Sequence, residues 1–278
     1  NNFGVREILN ALLDWAQPPK ERDATLRNVR PDEQAFSGFV FKIQANMDPA
    51  HRDRVAFLRI CSGHFQRGMK LKIVRNGKEI RTNNALSFLS QRRDILDEAF
   101  PGDIIGLPNH GLLHLGDTLT EGESLQFTGL PFFAPEIFRM VEAADPMRNK
   151  QLRTGLLQLG EEGAIQVFRP LTGGTMLLGA FGQLQFEVVA HRLQTEYGAE
   201  VRLLPARYNM ARWVSSDDPV ALKKFITENS HRMAEDVVGA SVFLAAHKSE
   251  LDVAKQRWEM IEFHALREHA GLIYQTEM

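Results

Sequence analysis

Met69-Lys-Leu-Lys-Ile-Val-Arg-Asn-Gly-Lys-Glu-Ile-Arg-Thr82 is the stretch on which the fold of the N-terminal half turns. Leu71 and Ile73 alternate with Lys70 and Lys72, so a strand here has one apolar face and one cationic face. Asn76-Gly77 is a hairpin turn signal, and Glu79 to Thr82 reads as the returning strand. Upstream, Phe39-Val40-Phe41-Lys42-Ile43 and Val55 to Ile60 have the same period. Downstream, Asp103 to Leu107 and the region of Thr118-Leu119 are set off by Gly or Pro. Short strands separated by turns, with no helical pattern among them, predict a closed barrel of about 100 residues.

Outside this core the period changes. Val5, Leu9, Leu12, Leu13 and Ala16 recur at helical spacing until Pro18-Pro19, and the polar run Lys20 to Glu33 reads as a linker. Beyond the barrel, Glu136 to Ala143 is strand-like. Asp145-Pro146 then opens a helix, with Asp capping free amides and Pro at the first helical position. Leu152, Leu156 and Leu159 mark its buried face. Ala164 to Arg169 and Thr175 to Ala180 are strands joined across Thr172-Gly173-Gly174. A helix with Phe186, Val189, Ala190, Leu193 and Tyr197 on one stripe ends at Gly198, and Glu200 to Leu204 is a strand. The order β-α-β-β-α-β predicts a ferredoxin-like arrangement. After Arg212-Trp213-Val214 the pattern partly repeats. Asp218-Pro219 caps a helix to about Asn229, Ala240 to Ala246 is a strand, Glu250 to Trp258 a helix, and Glu259 to Ala265 a last strand. The residues after Ala270 carry no pattern and read as a disordered tail. The predicted fold class is therefore multidomain β and α+β. Residues 1–30 form a helix and linker, 31–130 a β-barrel and 131–278 an α+β domain, ferredoxin-like over 135–205 with a C-terminal extension over 206–278.

Bulk composition is that of a globular protein: 278 residues, 44% hydrophobic and 24% charged, with a formal charge of -2. Cys61 is the single cysteine, so no internal disulfide is available and a reducing cytoplasm suits the chain. No apolar stretch reaches the roughly 20 residues of a membrane span. Charge is unevenly placed. From Arg52 to Arg93 eleven Lys or Arg face two acids, whereas Asp94 to Leu130 holds seven acids and no Lys or Arg. A cluster of this density suits a phosphate backbone through counterion release, although alternation also places cations on any solvated strand face. No strand carries the surface aromatics of a base reader, so backbone and shape contact is expected.

Catalytic patterns are absent. No GxxxxGK[ST] phosphate loop occurs, and Gly173-Gly174 is explained by a hairpin turn. His110 and His114 have the spacing of a helical metal pair, but Pro108 and Gly111 oppose a helix, and His264 and His269 are read the same way. Glu161-Glu162 lies at a helix end before Gly163 and reads as a solvated turn rather than an acid–base pair. Ser37, Ser62 and Cys61 lack a nucleophile setting.

Gly38-Phe-Val-Phe-Lys-Ile-Gln-Ala-Asn-Met-Asp-Pro49, continuing His51-Arg-Asp-Arg-Val-Ala-Phe57, resembles the release factor 3 family of bacterial translational GTPases. Ala99-Phe-Pro-Gly-Asp-Ile-Ile-Gly106 and Leu115-Gly-Asp-Thr-Leu119 are similar to the second-domain barrel of those factors. Phe133-Ala-Pro-Glu-Ile-Phe-Arg139, Leu159-Gly-Glu-Glu-Gly-Ala-Ile-Gln-Val-Phe-Arg-Pro170 and Gly182-Gln-Leu-Gln-Phe-Glu-Val-Val189 are similar to the third domain. Asn2-Phe-Gly-Val-Arg6 through Trp15-Ala16 resembles the last helix of a GTPase domain that is otherwise missing. The resemblance implies a termination role, in which GTP drives class I release factors off the ribosome after peptide release. It places GTP/GDP and Mg2+ in the missing domain and no cofactor or metal in this chain. It implies a cytoplasmic monomer whose partners are its own GTPase domain, ribosomal RNA and small-subunit proteins, with neither DNA nor a membrane. Arg52, Arg54, Lys70, Lys72, Arg92 and Arg93 are the expected ribosomal RNA contacts. The alternatives are an elongation factor G-like or ribosome-protection GTPase and a stand-alone RNA-binding module. About seventy residues follow Pro205, too few for the two further domains of the translocase type at roughly 50–200 residues each.

Overall fold

The structure, a computed structural model, describes residues 3–45, 54–89, 92–268 and 274–275. Two compact units emerge. One comprises residues 1–40, 57–108 and 117–128; the other comprises 41–56, 109–116 and 129–278.

The chain opens with helix α1 (Val5–Trp15), none of whose residues is buried; Leu13 and Trp15 are each 80% exposed. The run from Lys20 to Glu33 is not a free linker. It folds on itself as β1 (Arg22–Asp23) against β2 (Asn28–Val29), and the Thr25 amide donates to the Gln126 carbonyl. Burial of Val29 and the ion pairs of Arg27 with Glu33 and Glu123 explain why so polar a segment is ordered.

The strands that follow are β3 (Ser37–Ala45), β4 (Arg54–Ser62), β5 (Phe65–Gln66), β6 (Lys70–Ile73), β7 (Glu79–Arg81), β8 (Leu86–Leu89), β9 (Arg92–Ile95), β10 (Glu98–Ala99), β11 (Ile104–Pro108) and β12 (Thr118–Thr120). Eight of them form one sheet in the order β7-β6-β12-β3-β4-β11-β8-β9, and β5 pairs with β10 beside it. The sheet curls into a half-barrel, with β7 and β9 at its two ends. Alternation sets the faces as predicted: Leu71 and Ile73 are fully buried and Lys70 is exposed. The turn between β6 and β7 spans Val74 to Gly77, longer than a two-residue hairpin. Gly77 supplies the positive φ (71°) that closes it.

The second unit is built on a repeated module. Strand β13 (Pro131–Phe133) leads into β14 (Ile137–Ala143), α2 (Asn149–Glu161), β15 (Gln166–Pro170), β16 (Met176–Ala180), α3 (Gln183–Tyr197) and β17 (Val201–Pro205). The hydrogen-bonding order β17-β14-β16-β15 is antiparallel throughout, the predicted ferredoxin-like module. The C-terminal extension is a second copy: β18 (Met210–Ser215), α4 (Pro219–Glu228), β19 (Met233–Glu235), β20 (Ser241–Ala245), α5 (Lys248–Arg257) and β21 (Glu262–His264). Its order is β19-β20-β18-β21, the same pattern in mirror sequence, and β15 pairs with β19 to make one eight-stranded sheet. Each copy opens its first helical segment on an Asp-Pro pair. Asp145 accepts from the Met147 amide at 2.9 Å and Asp218 from the Val220 amide at 2.8 Å. Gly198 ends α3 at φ 64°.

Alternate residues of these strands fall into different cores. Val141, Val167 and Leu178 join α2 and α3, while Val214, Phe243 and Ala245 join α4 and α5. Phe138, Phe168 and Leu177 of the first copy instead pack with Trp213, Val242 and Leu244 of the second. The helix-free faces of the two copies thus share one inner core, with helices on the outside. The last expected strand, Glu259 to Ala265, is found as the shorter β21, and a further strand not expected from the sequence, β22 (Leu266–Glu268), follows Ala265. β22 pairs with β13 and with β23 (Tyr274–Gln275), the only described pair beyond Ala270. The rest of the expected disordered tail lies outside the described residues.

Candidate nucleic-acid interface

The cationic run is divided by the fold. Arg75 donates to Asp117 at 2.6 Å, and the Asp117 side chain is 1% exposed; Arg67 pairs with Asp97 at 3.2 Å. Arg54 turns inward, 13% exposed, and donates to Glu161 at 2.9 Å. Arg75 and Arg54 are thus held by acids within the fold, whereas Arg67–Asp97 is a surface pair, 50% and 79% exposed. Arg52 lies outside the described residues.

The β6–β7 edge hairpin gathers the largest group of surface cations among the described residues. Lys70 stands directly opposite Arg81, an arrangement of like charges that costs stability in a sheet. The side chains of Lys70, Lys78 and Arg81 make no hydrogen bond or ion pair among the described residues. Lys72 sits opposite Glu79, and its Nζ donates to Ser124 at 3.4 Å. Lys78 and Arg81 complete this patch, and their signal was the same alternation that marked Lys70 and Lys72. Arg92 and Arg93 lie on β9, paired with Leu89 and Phe88, and five strands separate β9 from β6 in the hydrogen-bonding order. The structure therefore brings Lys70 and Lys72 together and sets Arg92 and Arg93 on the other end of the sheet.

The Glu161-Glu162 pair is not a solvated turn. Glu162 has a side chain 3% exposed and accepts from Arg192 at 3.0 Å, while Arg192 also grips Glu196 at 2.6 Å. Burial raises the Glu162 carboxyl above its ordinary value, outweighing Arg192. The helix end is covered because α3 delivers Arg192 to it and β4 delivers Arg54. His110 and His114 sit in a turn organised by Asn109, whose Oδ1 accepts three backbone amides. His264 meets the Ser215 hydroxyl at 2.7 Å. Among the described residues no three His, Cys, Asp or Glu side chains converge as a metal site. The sequence contains no GxxxxGK[ST] phosphate-loop spacing.

Two family models match successive parts of the chain. Elongation factor G domain 2 matches residues 35–122, the half-barrel, and Class II release factor RF3, C-terminal domain matches 127–255. Proteins named peptide chain release factor 3 are similar along nearly the whole chain. That of Bordetella pertussis is 64% identical over 275 residues, 99% of this chain and 51% of the relative. That of Nitrosomonas eutropha is 63% identical over 276 residues, 99% of this chain and 52% of the relative. This chain belongs to the release factor 3 family. It spans about half the length of the curated release factor 3 relatives it matches. A crystal structure from Thermus thermophilus superposes with a TM-score of 0.59 at 23% identity, covering 84% of this chain and 34% of the other; it supports the fold alone. The release factor family model begins before β13 and ends inside α5, so it takes in the whole first ferredoxin-like copy and the second up to α5, short of β21. No described helix is long and apolar enough to cross a membrane.

Proposed function

We propose that this chain is the ribosome-docking portion of a cytoplasmic translation termination factor. The half of its relatives' length that it does not span would bind GTP with Mg2+ and use it to drive class I release factors off the ribosome. The observation that carries this reading is 64% identity along 99% of the chain to peptide chain release factor 3. The test joins the chain to the remaining half and follows a labelled class I release factor on post-termination ribosomes, with and without GTP. The expected result is dissociation accelerated by at least about tenfold with GTP, a change of roughly 1.4 kcal/mol in the dissociation barrier. Ribosome-stimulated hydrolysis without acceleration would favour the elongation or ribosome-protection type, the class from which the half-barrel's family model comes.

Within this reading Lys70 and Lys72, joined by Lys78 and Arg81, meet the ribosomal RNA backbone, and Arg92 and Arg93 form a second contact. Arg54 acts instead inside the protein, holding Glu161. The double change Lys70→Ala, Arg81→Ala is expected to weaken ribosome binding and flatten the slope of log affinity against log salt by about 0.7–0.9 per cation removed. It should leave thermal stability equal or higher, since it relieves the like-charge pair. A slope unchanged within error would mean that these cations only blunt a sheet edge.

A further inference from the structure

The first unit holds an open cleft of about 620 Å3 between residues 17–22 and the turn at 101–103, and Lys20, Arg22 and Arg59 line it. Its closed side depends on Gly102, which has φ 97° and where a Cβ would come within 2.7 Å of the Pro19 ring. Only glycine lets this turn and the proline run meet. The Gly102 amide donates to the Ile60 carbonyl and the Asp103 amide to the Phe100 carbonyl, so these groups are taken and side chains must hold any ligand. The side chains of Lys20, Arg22 and Arg59 make no hydrogen bond or ion pair among the described residues. Burial pushes the Cys61 thiol up to about 12, and the guanidinium charges of Arg22 and Arg59 both pull it the other way. The cations of β1 and β4 thus flank one thiol and lie near each other. The two acids of the lining form no ion pair with them: Asp103 accepts the Phe100 amide at 2.8 Å, and the charge of Glu21 acts on Arg30. Like charges gathered in a recess with proline walls concentrate a positive potential there.

We propose that this cleft binds a terminal phosphate, the end group of a free oligophosphate or of a nucleotide chain, held by Lys20, Arg22 and Arg59. A terminal phosphate carries close to two negative charges at neutral pH and presents three oxygens, whereas an internal phosphodiester carries one charge and is flanked by sugar on both sides. Two guanidinium forks suit paired phosphate oxygens, and the Lys20 ammonium adds a compact third charge. A recess admits an end group, while the exposed β6–β7 hairpin offers its cations to a passing backbone. The inference goes beyond the termination role, since it uses neither that hairpin nor the part of the relatives beyond this chain.

Pyrophosphate is the first probe, titrated calorimetrically into the 278-residue chain at a constant ionic strength of about 0.15 M, where diffuse attraction is screened. Saturable one-to-one binding is expected. The double change Arg22→Gln, Arg59→Gln should weaken it by at least about tenfold, and Lys20→Gln, at an exposed position where the fold is not at stake, by about threefold. Lys70→Ala, Arg81→Ala should leave it unchanged. Two short oligoribonucleotides, one ending in a 5′-phosphate and one in a 5′-hydroxyl, then compete with pyrophosphate. Competition by the phosphorylated oligomer alone assigns the nucleotide end, and competition by neither assigns the free oligophosphate. Four results would each overturn the assignment: no saturable binding, affinity unmoved in the folded Arg22→Gln, Arg59→Gln variant, an equal loss in Lys70→Ala, Arg81→Ala, or equal competition by the 5′-hydroxyl oligomer.

Discussion

Asp236→Ala is expected to lower the unfolding free energy of the chain by about 3–5 kcal/mol in a urea titration, the cost of stranding a buried charge. Asp236 sits at the point where both ferredoxin-like copies and the β13–β22 pair meet. Its Oδ2 accepts from Trp213 Nε1 at 3.0 Å and from Arg267 at 3.1 Å. Its Oδ1 accepts from the amides of Val238 and Ala240 at 3.0 and 2.9 Å. Arg267 is 2% exposed and lies over the rings of Phe132 at 4.4 Å and Trp213 at 5.3 Å. Those stacks are favourable for a guanidinium, but they keep water from replacing the lost carboxylate. The paired change Asp236→Ala, Arg267→Met should therefore cost less than Asp236→Ala alone, because no charge is left in the core. A single-variant loss under about 1 kcal/mol would mean that solvent reaches Arg267 once the acid is gone.

The parts of this fold that could be read from residues are those decided locally. Leu71 and Ile73 against Lys70, the Asp-Pro openings at 145 and 218, and Gly198 at a helix end each act within a few residues, and each is found in place. Strands of two residues, such as β1 and β10, are too short to show a period. That the second copy joins the first in one eight-stranded sheet depends on the β15–β19 pairing, whose register no local pattern encodes. Charge was countable, but its use was not. Arg54 finds Glu161 107 residues away and Arg75 finds Asp117 42 residues away, and only the fold decides which cations stay free. Glu162 reads as solvated in the sequence for the same reason: the residue that pairs it, Arg192, arrives from α3, 30 residues on.

Phe168→Ala is expected to cost about 3–5 kcal/mol, and the loss should appear equally in both ferredoxin-like copies. Phe168 is fully buried on β15, with its ring 6.0 Å from Phe138. It packs in the inner core with Trp213, Val242 and Leu244 of the second copy. The backbone link between the copies is slight by comparison. Among the described residues the ladder pairs Arg169 with Glu235 and Pro170 with Ala234, the Leu171 amide donates to the Met233 carbonyl at 2.9 Å, and Pro170 has no amide to donate. The shared core, rather than the ladder, must then carry the cooperativity between them. Native-state hydrogen exchange distinguishes the two routes. If the core couples the copies, amides of β16 and of β20 lose the same protection in Phe168→Ala. If each copy stands on its own helix-facing core, β16 is weakened and β20 keeps its protection, because Phe243 and Ala245 still pack on α4 and α5. The first outcome makes the second unit one cooperative body, in which a force applied at either pair of helices is felt by the other. The second makes it two domains that happen to share an edge.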